Sequence, residues 1–168
     1  SGSACCLSET GGAKLAVPMI KPRALRPGDT LAIVSPASAI DEDRLTRGCQ
    51  LIESRGYRTK RMPHALDADG YLAGSDTHRA ADLMAAFDDP ECAAVMCSRG
   101  GYGCARLLPL LDLDRMAASG KMFLGFSDIT TLHLALNKRG LVTMHTPMPI
   151  TLSYERQPWV HQSFFNLL

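Results

Sequence analysis

Three short segments of this chain are almost wholly apolar, and longer segments with helical periodicity separate them. They cover residues 30–35, 92–97 and 121–126, which read TLAIVS, CAAVMC and KMFLGF. A strand without a polar face is buried on both sides, as in a parallel sheet that helices cover on both faces. These segments therefore predict the central strands of such a sheet, and residues 57–62 and 141–145 are further strand candidates.

Amphipathic helices are indicated between these strands. Leu45, Cys49 and Ile52 lie at helical spacing after the first strand, and a second helix is predicted over residues 75–87. Strands and helices alternate along the chain, which favours an α/β fold with a largely parallel sheet flanked by helices, of the Rossmann or flavodoxin-like three-layer type. In such folds the ligand sites lie at the C-terminal ends of the strands.

A glycine-rich loop follows the strand at residues 92–97. It reads SRGGYGCAR from Ser98 to Arg106, and a helical segment continues from it. Backbone N–H groups in such a loop favour an anion, a carboxylate or a developing oxyanion. The dinucleotide fingerprint is excluded because Arg106 stands where its third glycine is required, and the chain has no Gly-Lys-Ser/Thr of a P-loop. The alternative is a turn that only reverses the chain, but its place at a strand end favours a functional loop.

A second candidate segment joins a strand to a helix through a Gly-x-Ser turn. Gly125 and Ser127 occupy the turn, and Ile129 takes the place of the second glycine of the Gly-x-Ser-x-Gly pattern. In a nucleophile elbow the serine lies on a tight strand-to-helix turn, and the amide of the next residue, here Asp128, points into the oxyanion hole. Serine and aspartate are also common helix N-caps, so the spacing alone leaves nucleophile and cap as equal alternatives.

The charges of the chain nearly cancel, with 18 Lys+Arg against 17 Asp+Glu. This balance removes the long-range attraction on which nucleic-acid and membrane-surface binders rely, and no apolar run approaches the roughly 20 residues of a membrane span. The six cysteines have no C-x-x-C pair and no histidine at a zinc-ligand offset. We therefore expect reduced thiols, no metal and a cytoplasmic protein, with a flexible tail over residues 1–24 that lacks the pattern of a secretory signal.

Four motifs carry a resemblance to a known family. They are PGDTLAIVSPA at residues 27–37, SRGGYG at 98–103, GFSDI at 125–129 and HTP at 145–147. They resemble the opening strand, the glycine loop, the nucleophile turn and the His-Gly-Pro segment of the LD-carboxypeptidases. These are serine peptidases whose family also contains the microcin C self-immunity hydrolases. Thr146 stands where that family usually has a glycine.

The resemblance implies a serine carboxypeptidase that releases the terminal D-alanine from peptidoglycan (murein) tetrapeptides during cell-wall recycling, without metal or organic cofactor. It assigns the nucleophile to Ser127 and the oxyanion hole to the backbone amides of Asp128 and Gly101. It also suggests a homodimer in the full-length protein. The other glycine-loop residues are implied to shape the pocket for the carboxylate end of the substrate, and these are Arg99, Gly100, Tyr102 and Gly103.

A serine hydroxyl needs a base, and the base needs an orienting group. The family takes its Glu and His from a C-terminal half. We therefore expect residues 25–150 to be the nucleophile-bearing domain of a two-domain enzyme and residues 151–168 to begin a linker towards the catalytic C-terminal domain. The chain alone is then expected to be inactive or nearly so.

The five histidines offer poor local substitutes for that base. His145, near the sheet edge, is the one local candidate, while His133 is expected to be a partly exposed helix residue, and the rest, His64, His78 and His161, are expected at the surface. Two alternative functions stay open. One is hydrolysis of a microcin C-type peptidyl- or aminoacyl-nucleotide, and the other is non-catalytic binding of a peptidoglycan fragment.

Overall fold

A computed structural model describes residues 18–168 and contains one five-stranded sheet. The strands are β1 (Thr30–Val34), β2 (Arg58–Arg61), β3 (Cys92–Cys97), β4 (Met122–Gly125) and β5 (Met144–His145). Their order is β2-β1-β3-β4-β5, and every pairing is parallel. The predicted α/β fold with a parallel sheet is confirmed.

Helices cover both faces of the sheet in the described part of the chain. They are α1 (Glu42–Glu53), α2 (Asp76–Asp88), α3 (Leu113–Ala118), α4 (Thr130–Asn137), α5 (Pro149–Leu152) and α6 (Pro158–Phe165). Buried residues of α1, α5 and α6 pack on one face, and those of α2, α3 and α4 pack on the other. Two 3-10 turns, Cys104–Leu110 and Ser127–Ile129, follow β3 and β4. The result is the three-layer architecture that the sequence predicts.

Strand β1 shows why its sequence is apolar on both faces. Leu31 and Ile33 are buried in the core on the α1 side, while Ala32 and Val34 are buried in the core on the α2 side. Successive side chains of a strand point to opposite faces, so a strand between two helical layers needs apolar residues at every position. None of the helices described in residues 18–168 is both long and apolar enough to cross a bilayer.

The last strand is shorter than the sequence predicts. Only Met144–His145 pairs with β4, because the chain before it bonds elsewhere. The Val142 N–H donates to the Ile20 carbonyl at 2.9 Å, and the Asn137 side chain donates to the Leu141 carbonyl at 2.7 Å. Residues 1–17 of the predicted tail lie outside the described residues. Ile20, which also belongs to the predicted tail, is hydrogen-bonded beside the sheet.

Candidate active site

The candidate site lies where the two central strands, β1 and β3, end side by side. The chain leaves β1 for α1 on one face of the sheet, whereas the 3-10 turn and α3 that directly follow β3 pack on the other face. Such a divergence opens a crevice at the C-terminal edge of a parallel sheet, which is the usual place for a ligand. The Ser38 N–H donates to the Gly100 carbonyl at 3.3 Å, so the loops after β1 and β3 contact each other there.

Ser127 has an unusual backbone conformation. Its φ is +65°, and no other non-glycine residue in the described part of the chain has a positive φ. A side chain in this left-handed region costs on the order of 1–3 kcal/mol and persists only where the surrounding structure imposes it. Neither the 3-10 turn that Ser127 begins nor α4 has a capping bond from a side chain, so Ser127 does not cap the helix. The exposed hydroxyl at a strand-to-helix turn is the geometry of an elbow.

Two glycines make room for this turn. A Cβ atom on Gly125 would lie 2.9 Å from the Ile129 side chain, and a Cβ atom on Gly100 would lie 2.9 Å from Ser127 Cβ and 3.1 Å from Ser127 Oγ. The two distances of 2.9 Å are shorter than real Cβ contacts. The glycine loop and the serine turn are therefore in direct contact, and only a residue without a side chain fits between them.

The amides predicted to form the oxyanion hole lie in these two segments. Asp128 is the second residue of a 3-10 turn, where backbone N–H groups have no partner within the helix. The Asp128 nitrogen lies 3.4 Å from the position of a Cβ on Gly100. Gly101 follows directly with φ +119°, and a Cβ there would collide with the Ser38 hydroxyl at 2.1 Å. Both amides are thus carried by the contacting segments.

The Asp128 side chain connects the two loops. Its carboxylate accepts a hydrogen bond from the Cys104 N–H at 2.9 Å and so caps the 3-10 turn that follows the glycine loop. A carboxylate at a helix start is favoured by the unpaired N–H groups and by the helix dipole. The carboxylate therefore holds the glycine loop against the serine turn, a role that the sequence analysis did not assign to it.

A buried arginine, which the sequence analysis missed, organises the loops from beneath. Arg79 of α2 is 2% exposed, and its guanidinium donates to the carbonyls of Pro36 and Gly103 at 2.6 and 3.2 Å. It also pairs with Asp76. The available signal was its position one helical turn before the buried Leu83, because a charge on an apolar helix stripe is costly unless it is paired.

The remaining glycine-loop residues have separate surroundings. Arg99 donates from Nη1 to the Ala39 carbonyl at 3.0 Å, which turns part of its guanidinium towards the loop after β1. Tyr102 is exposed, its N–H donates to the Ser38 hydroxyl at 3.3 Å, and its ring contacts the exposed Tyr71 edge-on at 5.9 Å. Their substrate contacts stay predictions.

The expectation of a partly exposed His133 is wrong. The residue is 6% exposed, its Nε2 is 2.9 Å from the Gly125 carbonyl, and its ring packs edge-on against Phe123. A carbonyl accepts only, so Nε2 carries the proton. Burial lowers the pKa of His133 below its ordinary 6.5, which keeps the ring neutral. The hydrogen bond of His133 therefore supports the end of β4.

His145 lies beside a small open cavity at the sheet edge. The cavity measures about 230 Å³ and is lined by Phe126, His145, Thr146, Pro147 and Thr151. The His145 ring is 5.8 Å from the Phe126 ring and 6.3 Å from that of His133. The His145 backbone belongs to β5, but within the described residues neither the Ser127 hydroxyl nor the His145 ring takes part in a hydrogen bond, so no local base is paired with the serine.

Comparisons with known proteins match this fold and these segments. Residues 31–146 match the model of the LD-carboxypeptidase N-terminal domain. The murein tetrapeptide carboxypeptidase of Pseudomonas aeruginosa is 43% identical over 70% of this chain. The crystal structure of muramoyltetrapeptide carboxypeptidase from Oxalobacter formigenes superposes with a TM-score of 0.67 at 34% identity over 71% of the chain.

A second group of relatives includes a protein solved in complex with a nucleoside derivative. The microcin C7 self-immunity protein in complex with aspartyl sulfamoyl adenosine superposes with a TM-score of 0.81 at 29% identity over 90% of this chain. The Escherichia coli self-immunity protein is 30% identical over 84% of the chain. The chain spans less than half the length of each relative, from 39% of the Pseudomonas protein to 47% of the sulfamoyl adenosine complex.

Proposed function

We propose that this chain supplies the nucleophile and oxyanion hole of a serine carboxypeptidase. The chain belongs to the LD-carboxypeptidase family and corresponds to the family's N-terminal domain. The proposed substrate is a peptidoglycan-derived tetrapeptide, from which the enzyme releases the terminal D-alanine in cell-wall recycling. The observation that carries the proposal is the positive φ of Ser127 at a strand-to-helix turn packed against Gly100. A serine that only preceded the helix would not need this strained conformation, because the start of the helix does not require a residue with positive φ.

In the proposed reaction the Ser127 hydroxyl attacks the carbonyl carbon of the L-centre that precedes D-alanine. Its proton passes to a general base, and the carbonyl oxygen becomes an oxyanion that the N–H groups of Asp128 and Gly101 stabilise. When the tetrahedral intermediate collapses, the C–N bond breaks and D-alanine leaves with the proton from the base. Water then hydrolyses the ester on Ser127 and restores the hydroxyl.

The general base is proposed to come from the part of the relatives' length that this chain does not span. In the described residues, His133 is bound to the Gly125 carbonyl and His145 has no bond to Ser127. A serine hydroxyl is a weak nucleophile without a base in hydrogen-bond reach. We therefore propose that a Glu and a His of a C-terminal domain complete the triad, that residues 151–168 lead towards it, and that this chain alone has little or no activity.

Location and assembly are part of the same proposal. The four cysteines described in residues 18–168 are free thiols, which favours a reducing compartment such as the cytoplasm. The homodimer rests on the family resemblance alone. Light scattering of the full-length protein tests it, and a monomer at micromolar concentration would contradict it.

A second candidate substrate is an aminoacyl- or peptidyl-nucleotide. It is supported by the TM-score of 0.81 with the self-immunity protein in complex with aspartyl sulfamoyl adenosine. The third candidate, a non-catalytic domain that holds a peptidoglycan fragment, requires the glycine loop but not the strained serine.

One experiment separates the three functions. The full-length protein is incubated in parallel with a murein tetrapeptide and with an aminoacyl-nucleotide, and the products are identified by mass spectrometry. The proposal predicts D-alanine and tripeptide from the first substrate at a rate well above that of nucleotide release. Preferred cleavage of the nucleotide conjugate would favour the second candidate. Tetrapeptide binding in calorimetry without any product would favour the third.

A further inference from the structure

Two histidines and an aspartate meet on the α2 side of the fold, outside the segments that the proposed reaction uses. His64 lies in the turn after β2, Asp67 follows it, and His78 lies in the first turn of α2. One potential ligand atom from each residue lies within 4.8 Å of the other two. The sequence gives no zinc-ligand spacing here, because the fold joins residues that are 14 positions apart.

A buried carboxylate fixes the orientation of His64. Asp82 of α2 is 3% exposed; one of its oxygens accepts the backbone N–H of His64 at 2.9 Å, and the other lies 2.8 Å from His64 Nδ1. An ionised carboxylate can only accept, so Nδ1 carries the proton and Nε2 presents its lone pair. The same carboxylate–histidine pair orients ligands in many metal sites, where it fixes the tautomer and makes the other nitrogen more basic.

The other two groups are close together and free to adjust. His78 Nδ1 lies 3.1 Å from an Asp67 oxygen, close to the about 3.3 Å that separates two ligands of a tetrahedral ion with bonds of about 2.05 Å. Gly74 makes the approach possible, because a Cβ there would lie 2.8 Å from Asp67 Cβ. The imidazole rings of His64 and His78 stack at 4.0 Å. The side chains of His78 and Asp67 are 51% and 38% exposed, so both can turn to bring the third ligand distance into range.

We propose that His64, Asp67 and His78 form a binding site for a divalent transition-metal ion of the zinc type, with Asp82 as the residue that positions His64. Two neutral imidazoles and one carboxylate suit zinc-like ions better than magnesium or calcium, which prefer oxygen ligands. Water completes the coordination, because the side chains supply three ligands.

The bound ion would join the turn after β2 to the first turn of α2. The loop between these two turns is hydrogen-bonded to the loop after β1. The Tyr71 carbonyl accepts the Ala39 N–H at 3.1 Å, and the Ala73 N–H donates to the Ala37 carbonyl at 3.0 Å. The site therefore stabilises a loop that packs beside the glycine loop. It plays no part in the proposed chemistry of Ser127.

The test is titration of the metal-free chain with Co²⁺ at about pH 7.5. Visible absorption reports tetrahedral Co²⁺, and near-ultraviolet charge-transfer absorption reports thiolate ligands. We expect one equivalent of bound Co²⁺ without thiolate bands, competition by Zn²⁺, and a rise in melting temperature with Zn²⁺. His78→Ala should abolish the visible band, and the half-exposed position of His78 makes loss of folding an unsuitable explanation for that result.

Two further variants distinguish a metal site from a purely structural cluster. Asp82→Asn should weaken Co²⁺ binding by about 10–100-fold, as for other residues that orient metal-bound histidines. His145→Ala removes an exposed histidine elsewhere and should leave binding unchanged. Absence of binding at millimolar Co²⁺, equal binding by His78→Ala, or thiolate bands in the spectrum would each overturn the proposal. None of these outcomes depends on activity, so the result is independent of the proposed function.

Discussion

Gly100→Ala tests the contact between the glycine loop and the serine turn. The added methyl would lie 2.9 Å from Ser127 Cβ, about 0.5 Å inside an ordinary contact, and 3.4 Å from the nitrogen of Asp128. An oxyanion must come within about 2.7–3.1 Å of that nitrogen, so we expect the methyl to crowd the oxyanion. Loss of one oxyanion-hole donor costs about 10²–10³-fold in kcat, or about 2.7–4 kcal/mol, and we expect a loss of this size.

The assay is D-alanine release by the full-length protein, with the melting temperature measured in parallel. Gly28→Ala is the matched control. Gly28 has φ +89° and no atom lies within 4 Å of the added Cβ, so alanine at this position strains the backbone without contacting the site. The control should lose stability and keep its turnover, whereas Gly100→Ala should lose turnover. A Gly100→Ala variant with kcat within twofold of the wild type would refute the geometry proposed for the oxyanion hole.

Two further predictions concern buried polar side chains. Because burial lowers the pKa of His133, the unfolded chain binds a proton below about pH 6.5 that the folded chain does not, and stability falls as the pH drops. In His133→Gln, which keeps a donor for the Gly125 carbonyl, urea unfolding should show a smaller loss of stability between pH 7 and pH 5; an unchanged loss would contradict the assignment. Arg79→Ala should cost about 3–5 kcal/mol because it leaves buried carbonyls without a donor, whereas Arg106→Ala removes only an exposed ion pair and should cost far less. Equal losses in urea unfolding would contradict the buried role of Arg79.

Local patterns predicted the sheet well wherever neighbouring residues determine the structure. The strand at 92–97 was predicted to the residue, because six consecutive apolar side chains fit only a position between two helical layers. The prediction at residues 141–145 was right only for Met144–His145, because a partner distant in sequence decides the outcome for the residues before them. Ile20 bonds to Val142 there, and no property of the segment itself indicates that pairing.

Helix spacing alone could not place two buried polar side chains. His133 lies one turn after the buried Ile129, and Arg79 lies one turn before the buried Leu83. A polar residue on such a stripe can be buried with a hydrogen-bond partner, or it can mark the exposed end of the stripe. Spacing cannot decide between these two outcomes. The partners that decide it here are backbone carbonyls of strand ends and loops, which only the folded chain brings near.

At the candidate site, too, the sequence predicted some features and only the folded chain shows the others. The residues of the glycine loop and serine turn were identified from the sequence, but the positive φ of Ser127 was not, because Ile129 breaks the elbow pattern. The structure shows that Gly125 and Gly100 provide the room that a second motif glycine would otherwise give. The sequence left capping of its own helix open for Asp128, but its carboxylate binds the Cys104 N–H across the site.

The most direct test of the account is the turnover of the full-length protein carrying Ser127→Ala. Ser163→Ala, an exposed serine of α6, is the matched control. If Ser127 is the nucleophile, its replacement should reduce D-alanine release from a murein tetrapeptide by about 10⁵–10⁶-fold, while the fold and the affinity for the peptide are kept. The control should retain full activity. Turnover by Ser127→Ala within tenfold of the wild type would show that the strained serine is not the nucleophile.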